Sequence, residues 1–267
     1  MESQKQKKSG GHGMHWIFVS SGLADESSVE RLVLETFKSG KLVKKFPFDG
    51  SMLKGEVSVR EKRFDDLVVT GNALNGEIGT AYPSIDSNLS MKGTITDVEE
   101  WANEVEAQVK IKTENMSLTF FALDYAENRD KYVSGNEFDF SLTGLAIALK
   151  KGSIAGGKLP SGQEISPDFT GIFYASTVFK NSNFDIDDYQ VHGKIENVRK
   201  TRLAGLDAFI FTTKIAGTEK WKLTIDIGVF AKNISGEIPG KNDKITTGIW
   251  LTGRIKETNK GGLFGWK

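Results

Sequence analysis

The chain has 267 residues, 38% apolar and 26% charged, with 29 Gly, 5 Pro and no Cys. That length suits two or three small domains, the glycine excess suits many strands joined by tight turns, and the missing cysteine excludes disulfides, thiolate metal sites and cysteine nucleophiles. Thirty-five basic residues balance 35 acidic ones, so bulk charge draws the chain to neither nucleic acid nor an anionic membrane.

Residues 1–13 are polar and Gly-rich and predict a disordered tail. His12 and His15 in it form only a weak metal pair, since no third ligand is near in sequence. The apolar run at 15–19 reads as a short strand, too brief for a signal-peptide core or a membrane span. The expectation is a cytoplasmic protein with no membrane partner. Ser27 with Glu30 then fits a capping box, Val29, Leu32, Val33 and Phe37 share one helical face, and Gly40 supplies the stop. Short strands follow at 41–48, 55–60, 67–69 and 77–82, divided by Gly, Asp and Asn. Region 14–84 is thus a small α+β unit.

The second half repeats itself. Residues 91–98, Met-Lys-Gly-Thr-Ile-Thr-Asp-Val, match 191–198, Val-His-Gly-Lys-Ile-Glu-Asn-Val, at an offset of 100. Leu118-Thr119 and Tyr125-Ala126-Glu127-Asn128 match Leu223-Thr224 and Phe230-Ala231-Lys232-Asn233 at 105, as does Gly135 with Gly240, and Leu142-Thr143-Gly144 matches Leu251-Thr252-Gly253 at 109. Offsets that grow only between strands are what loop insertions produce. Within each copy apolar residues alternate at period two, as in Val105, Ala107, Val109 and Ile111 or in Leu223, Ile225, Ile227 and Val229. Three strands, a helical turn near 124–136 and a long strand resemble the OB fold, a five-stranded barrel. The fifth strand is expected from upstream, at 77–82 for the first copy and 170–179 for the second. The fold class is therefore mainly β: two tandem OB-like barrels at 85–149 and 170–256 behind the α+β unit, with a linker at 150–169. The tail at 257–267 carries Leu263, Phe264 and Trp266, which either pack back on the chain or meet a partner.

The two copies differ in charge. Residues 89–150 hold 6 Lys+Arg against 11 Asp+Glu, and 189–267 hold 14 against 7. In the second copy Arg199, Lys200 and Arg202 read as a basic loop after the first strand, and Lys220, Trp221 and Lys222 as a basic turn around an aromatic. Such residues suit phosphate contact and base stacking, although charged loops flanking a core Trp would look the same. No cofactor fingerprint or catalytic motif is present. His192 reads as an outward polar residue in a strand, and the acidic run Asp185-Ile186-Asp187-Asp188 as a solvated turn lacking the spacing of a calcium loop. The expectation is a non-catalytic binding or assembly protein with no cofactor, whose partner is single-stranded nucleic acid at the second barrel. The alternatives are another protein or self-association through the opposite charges, and an enzyme of unfamiliar type with a site in 14–84.

Overall fold

The computed structural model describes residues 16–23, 26–152, 166, 169–179 and 184–256. The expected N-terminal tail with its histidine pair, most of the linker and the C-terminal tail lie outside the described residues. The apolar run near residue 16 is not a strand but a helical turn, α1 (Ile17–Ser20), because curling there buries Phe18 and Val19 together. Helix α2 (Glu26–Ser39) begins ahead of Ser27, which is therefore inside the helix and not its cap. It stops at Gly40, whose N–H donates to the Thr36 carbonyl. Leu32 on its apolar face is buried, with Val29, Val33 and Phe37 packed around it.

Strands β1 (Lys41–Asp49), β2 (Lys54–Phe64), β3 (Leu67–Leu74) and β4 (Glu77–Ile85) form an antiparallel meander in chain order. Their core joins α1 and α2 to Phe121, Leu145, Phe230 and Trp250 of the second sheet. Glu104 fastens the β1–β2 turn to that sheet: its buried carboxylate accepts the backbone N–H groups of Ser51 (3.1 Å), Met52 (3.1 Å) and Leu53 (3.3 Å).

The remaining strands are β5 (Met91–Glu100), β6 (Ala107–Lys112), β7 (Ser117–Ala122), β8 (Glu137–Lys151), β9 (Gly171–Tyr174), β10 (Asp188–Leu203), β11 (Leu206–Gly217), β12 (Lys222–Phe230), β13 (Ile234–Ser235) and β14 (Lys244–Ile255), with short helices α3 (Tyr125–Asn128) and α4 (Ala175–Val178). They make one ten-stranded, ring-like sheet. Two five-strand circuits close within it. The first runs β5-β6-β7-β14-β8 and back to β5. The second runs β10-β11-β12-β8-β14 and back to β10.

This overturns the expected source of the fifth strand. Residues 77–85 belong to the meander, and β9 is an added edge strand on β10. Each circuit instead takes its fifth strand from the other half of the repeat. Thr252 and Gly253 pair with Phe121 and Ala122, and at offsets of 109 and 105 Thr143 and Gly144 pair with Asp226 and Ile227. Thr143 and Thr252 face each other at the centre of this exchange, their hydroxyls 2.9 Å apart. The first strand bulges at the same place in both halves, between Ile95 and Asp97 and between Ile195 and Asn197.

The match of Gly135 with Gly240 is off by two residues. Gly135 (φ 95°) donates its N–H to Ile95, and the residue that donates to Ile195 is Asn242 (φ 72°). Asn tolerates the left-handed conformation that the turn demands, so glycine identity misled where backbone conformation did not.

Candidate functional site

The basic run read as a loop is part of a strand: Arg199, Lys200 and Arg202 lie in the outer half of β10, paired with β11 up to the turn at Ala204 and Gly205. A hairpin arm projecting from the circuit needs no apolar alternation on its exposed face, so its polar sequence imitated a loop. Its charges are answered on the chain. Arg199 forms an ion pair with Asp66, Thr201 donates to the same carboxylate, Lys200 lies 3.8 Å from Asp207, and Arg202 donates to the Gly205 carbonyl. Asp66 is held below the ordinary carboxylate range, the Thr201 and Arg199 hydrogen bonds outweighing its partial burial.

Lys220, Trp221 and Lys222 sit at the other end of β11. Lys200 is opposite Phe209 and Lys222 opposite Gly217, a separation of about 26 Å along the strand. The two basic clusters therefore do not converge.

Trp221 and Lys222 line a groove of about 650 Å³ together with Met91, Lys92, Lys112 and Met116. Met91, Met116 and Trp221 are partly buried and pack on the main apolar core. Lys92 pairs with Glu137 at 2.7 Å and Lys222 with Glu196 at 2.8 Å, while Lys112 has no ion pair among the described residues. Two turns closed by the same backbone bond hold the Met and the Trp. The Thr113 N–H donates to the Met116 carbonyl and the Thr218 N–H to the Trp221 carbonyl, each at 2.8 Å. Of the groove's residues the sequence singled out Trp221 and Lys222 and not those of the first copy. The signal was present, because Thr113-Glu114-Asn115-Met116 aligns with Thr218-Glu219-Lys220-Trp221 at the same offset of 105.

The groove runs beside an open stretch of strand edge. Strand β5 pairs with β8 over residues 91–94 and with β6 over 94–100, so on the β6 side residues 91–93 have no partner strand among the described residues. At the matching place in the second circuit β10 is covered: β9 pairs antiparallel with it, Gly171 opposite His192 and Tyr174 opposite Tyr189. Tyr174 stacks on Tyr189 at 5.0 Å between centroids, and Ile172 and Tyr174 pack on the core.

His192 is half-buried rather than outward, with its Nδ1 3.0 Å from the Thr246 hydroxyl and Phe173 edge-on to its ring; burial lowers its pKa. The acidic run is not a solvated turn either. Asp187 and Asp188 are buried, and Asp187 accepts the Trp250 indole N–H at 3.0 Å. Burial pushes the Asp187 carboxyl up to about 6. Among the described residues no group of three or more His, Cys, Asp or Glu is arranged to hold a metal ion, and no helix is long and apolar enough to cross a membrane. The chain matches no protein-family model and no curated protein.

Proposed function

We propose that this chain is a non-catalytic binding protein built from two OB-like barrels that have exchanged their fifth strands, and that its ligand is another polypeptide received in the groove beside β5. The OB-like reading is supported by the order of the pairings: a long bulged first strand next to both second and fourth, a short helix between third and fourth, and five strands to a closed circuit. The observation that carries the ligand class is the groove itself. Two thioethers and an indole beside a strand edge that is unpaired among the described residues suit an extended chain, which brings its own hydrogen-bonding groups and apolar side chains. The basic run at Arg199, Lys200 and Arg202 is largely answered by Asp66 and Asp207, which weakens its case as a phosphate track.

The presence of Lys112, Lys222 and Trp221 in the same groove keeps single-stranded nucleic acid as the rival, and one experiment separates the two. The full chain, labelled at its methionine methyls, is titrated with synthetic octapeptides of alternating apolar and polar residues and with oligothymidylate at physiological salt. Saturable shifts of the Met91 and Met116 methyls with the peptides alone are expected. Shifts with the oligonucleotide alone, lost in Trp221→Ala and Lys112→Ala, would transfer the site to nucleic acid.

A further inference from the structure

We infer that the occupant of the groove in the resting chain is its own C-terminal segment, residues 262–266, added as an antiparallel strand to the open edge of β5. The inference rests on reading the groove as a polypeptide site.

The second circuit supplies the template. There the covering strand is Gly171-Ile172-Phe173-Tyr174, with Gly171 opposite His192 and Ile172 opposite Val191. The matching residues of the first circuit, at the offset of 100, are Lys92 and Met91. Outside the described residues the chain reads Gly262-Leu263-Phe264-Gly265-Trp266. Glycine, an aliphatic residue, phenylalanine and a nearby aromatic recur in the same order. In the register of β9, Gly262 falls opposite Lys92 and Leu263 opposite Met91. Leu263 then has the Met91 and Met116 thioethers as neighbours, where Ile172 meets the core.

Reach and direction agree with this placement. The Lys256 N–H donates to the Asp139 carbonyl at 2.7 Å, and Asp139 is opposite Lys92. The chain thus leaves β14 in the row of β5 that Gly262 would join. Crossing from β14 past β8 and β5 to the open edge takes three strand spacings, about 14 Å, and the six residues 257–262 extend up to about 20 Å. Strands β14 and β5 both run antiparallel to β8, so a strand that turns back after β14 meets β5 antiparallel, as β9 meets β10. A chain segment tethered this closely competes with outside ligands at a high effective concentration.

The test compares the full chain with the variant Leu263→Ala, Phe264→Ala, Trp266→Ala. If the segment occupies the groove, the Met91 and Met116 methyl resonances differ between the two, and the amide hydrogens of residues 89–92 exchange at least tenfold faster in the variant. A synthetic peptide of residues 260–267 added to the variant restores the parent spectrum, and the same peptide N-methylated at Phe264, which cannot pair its backbone there, does not. Superposable methyl spectra of parent and variant would overturn the inference. So would a parent spectrum that reverts to the variant's on dilution, with a dimer's mass at high concentration, since the occupant would then be a second copy's segment. The two proposals fail separately: octapeptides that shift the methyls of parent and variant alike leave a polypeptide site without this occupant, whereas no response to any peptide removes both.

Discussion

The first strands of the two circuits share a bulge and a divided pairing, yet β10 carries an extra strand where β5 has none among the described residues. The two frames share their order of pairings and the bulge in the first strand, so the difference at this edge lies in the connecting chain. The segment ahead of β10 folds back as β9, whereas the residues between β4 and β5 do not. A strand edge is a liability unless it is covered or used, and of the two first strands β10 is covered while residues 91–93 of β5 have no partner on the β6 side among the described residues. Their comparison draws attention to the groove beside β5 by what is missing from one half, which no inspection of either half alone would do.

The largest expected effect tests how closely the halves match at their shared centre. Gly144 and Gly253 hold equivalent places, but a Cβ on Gly253 would lie 2.5 Å from Leu142 and 2.8 Å from Phe120, against 3.0 Å from Ile249 for Gly144. Overpacking of this kind costs about 1–3 kcal/mol, so Gly253→Ala should lower the thermal midpoint by several degrees and Gly144→Ala by less than half as much. Equal losses would mean that the two sites relax alike.

Next in size is Tyr174→Ala, which removes the ring stacked on Tyr189. A cost of about 1–2 kcal/mol is expected, with faster amide exchange at 189–192 and no change at 91–93. Exchange that speeds up in both halves would show that β9 stabilises the whole sheet and not one edge.

The first circuit should also respond to pH. Glu127 lies where the meander meets the first circuit, and burial, with the Asp124 and Glu61 carboxylates nearby and Arg254 and Lys44 opposing them, raises its pKa from 4.5 to about 7. A carboxyl whose folded pKa is raised favours the folded state while protonated, and that contribution is lost as pH climbs from about 4.5 to 7. Glu127→Gln should therefore leave stability unchanged near pH 4 and raise the midpoint by ~2–4 °C at pH 8. A midpoint difference constant across the pH range would remove Glu127 as the titrating group.

The smallest effect is expected at the hairpin arm. Arg199→Ala breaks a largely exposed ion pair with Asp66, worth under about 1 kcal/mol, and urea unfolding should register little. A loss several times larger would mean that this pair anchors the arm to the meander.

Much of this architecture was legible in the residues. Apolar spacing located α2, Gly40 ended it, and alternation placed the strands of both halves, because local burial writes a local period. The exchange of fifth strands left no such trace. Residues 121–122 meet 252–253 across about half of the chain through a contact two residues long, and apolar alternation records which face is buried without recording which strand lies alongside. The hairpin arm misled for the opposite reason: Arg199, Lys200 and Arg202 are exposed, and of residues 199–203 only Leu203 is buried, too little to write an alternation. At the groove Trp221 stood out as an aromatic between lysines, whereas Met91, Lys112 and Met116 gained meaning only beside residues 91–93 of β5, which have no partner strand on the β6 side among the described residues.

The shared strands also set the order in which the molecule can be built. The first circuit needs β14, so residues 91–151 emerge from the ribosome without the strand that closes them, and β7 and β8 wait through the synthesis of about a hundred further residues, several seconds or more at ordinary elongation rates. Contacts of such sequence separation also slow closure once the chain is free. During that interval the edges of β7 and β8 are open to any passing strand, so expression level and chaperone supply, rather than equilibrium stability, should govern how much of this protein reaches its native form.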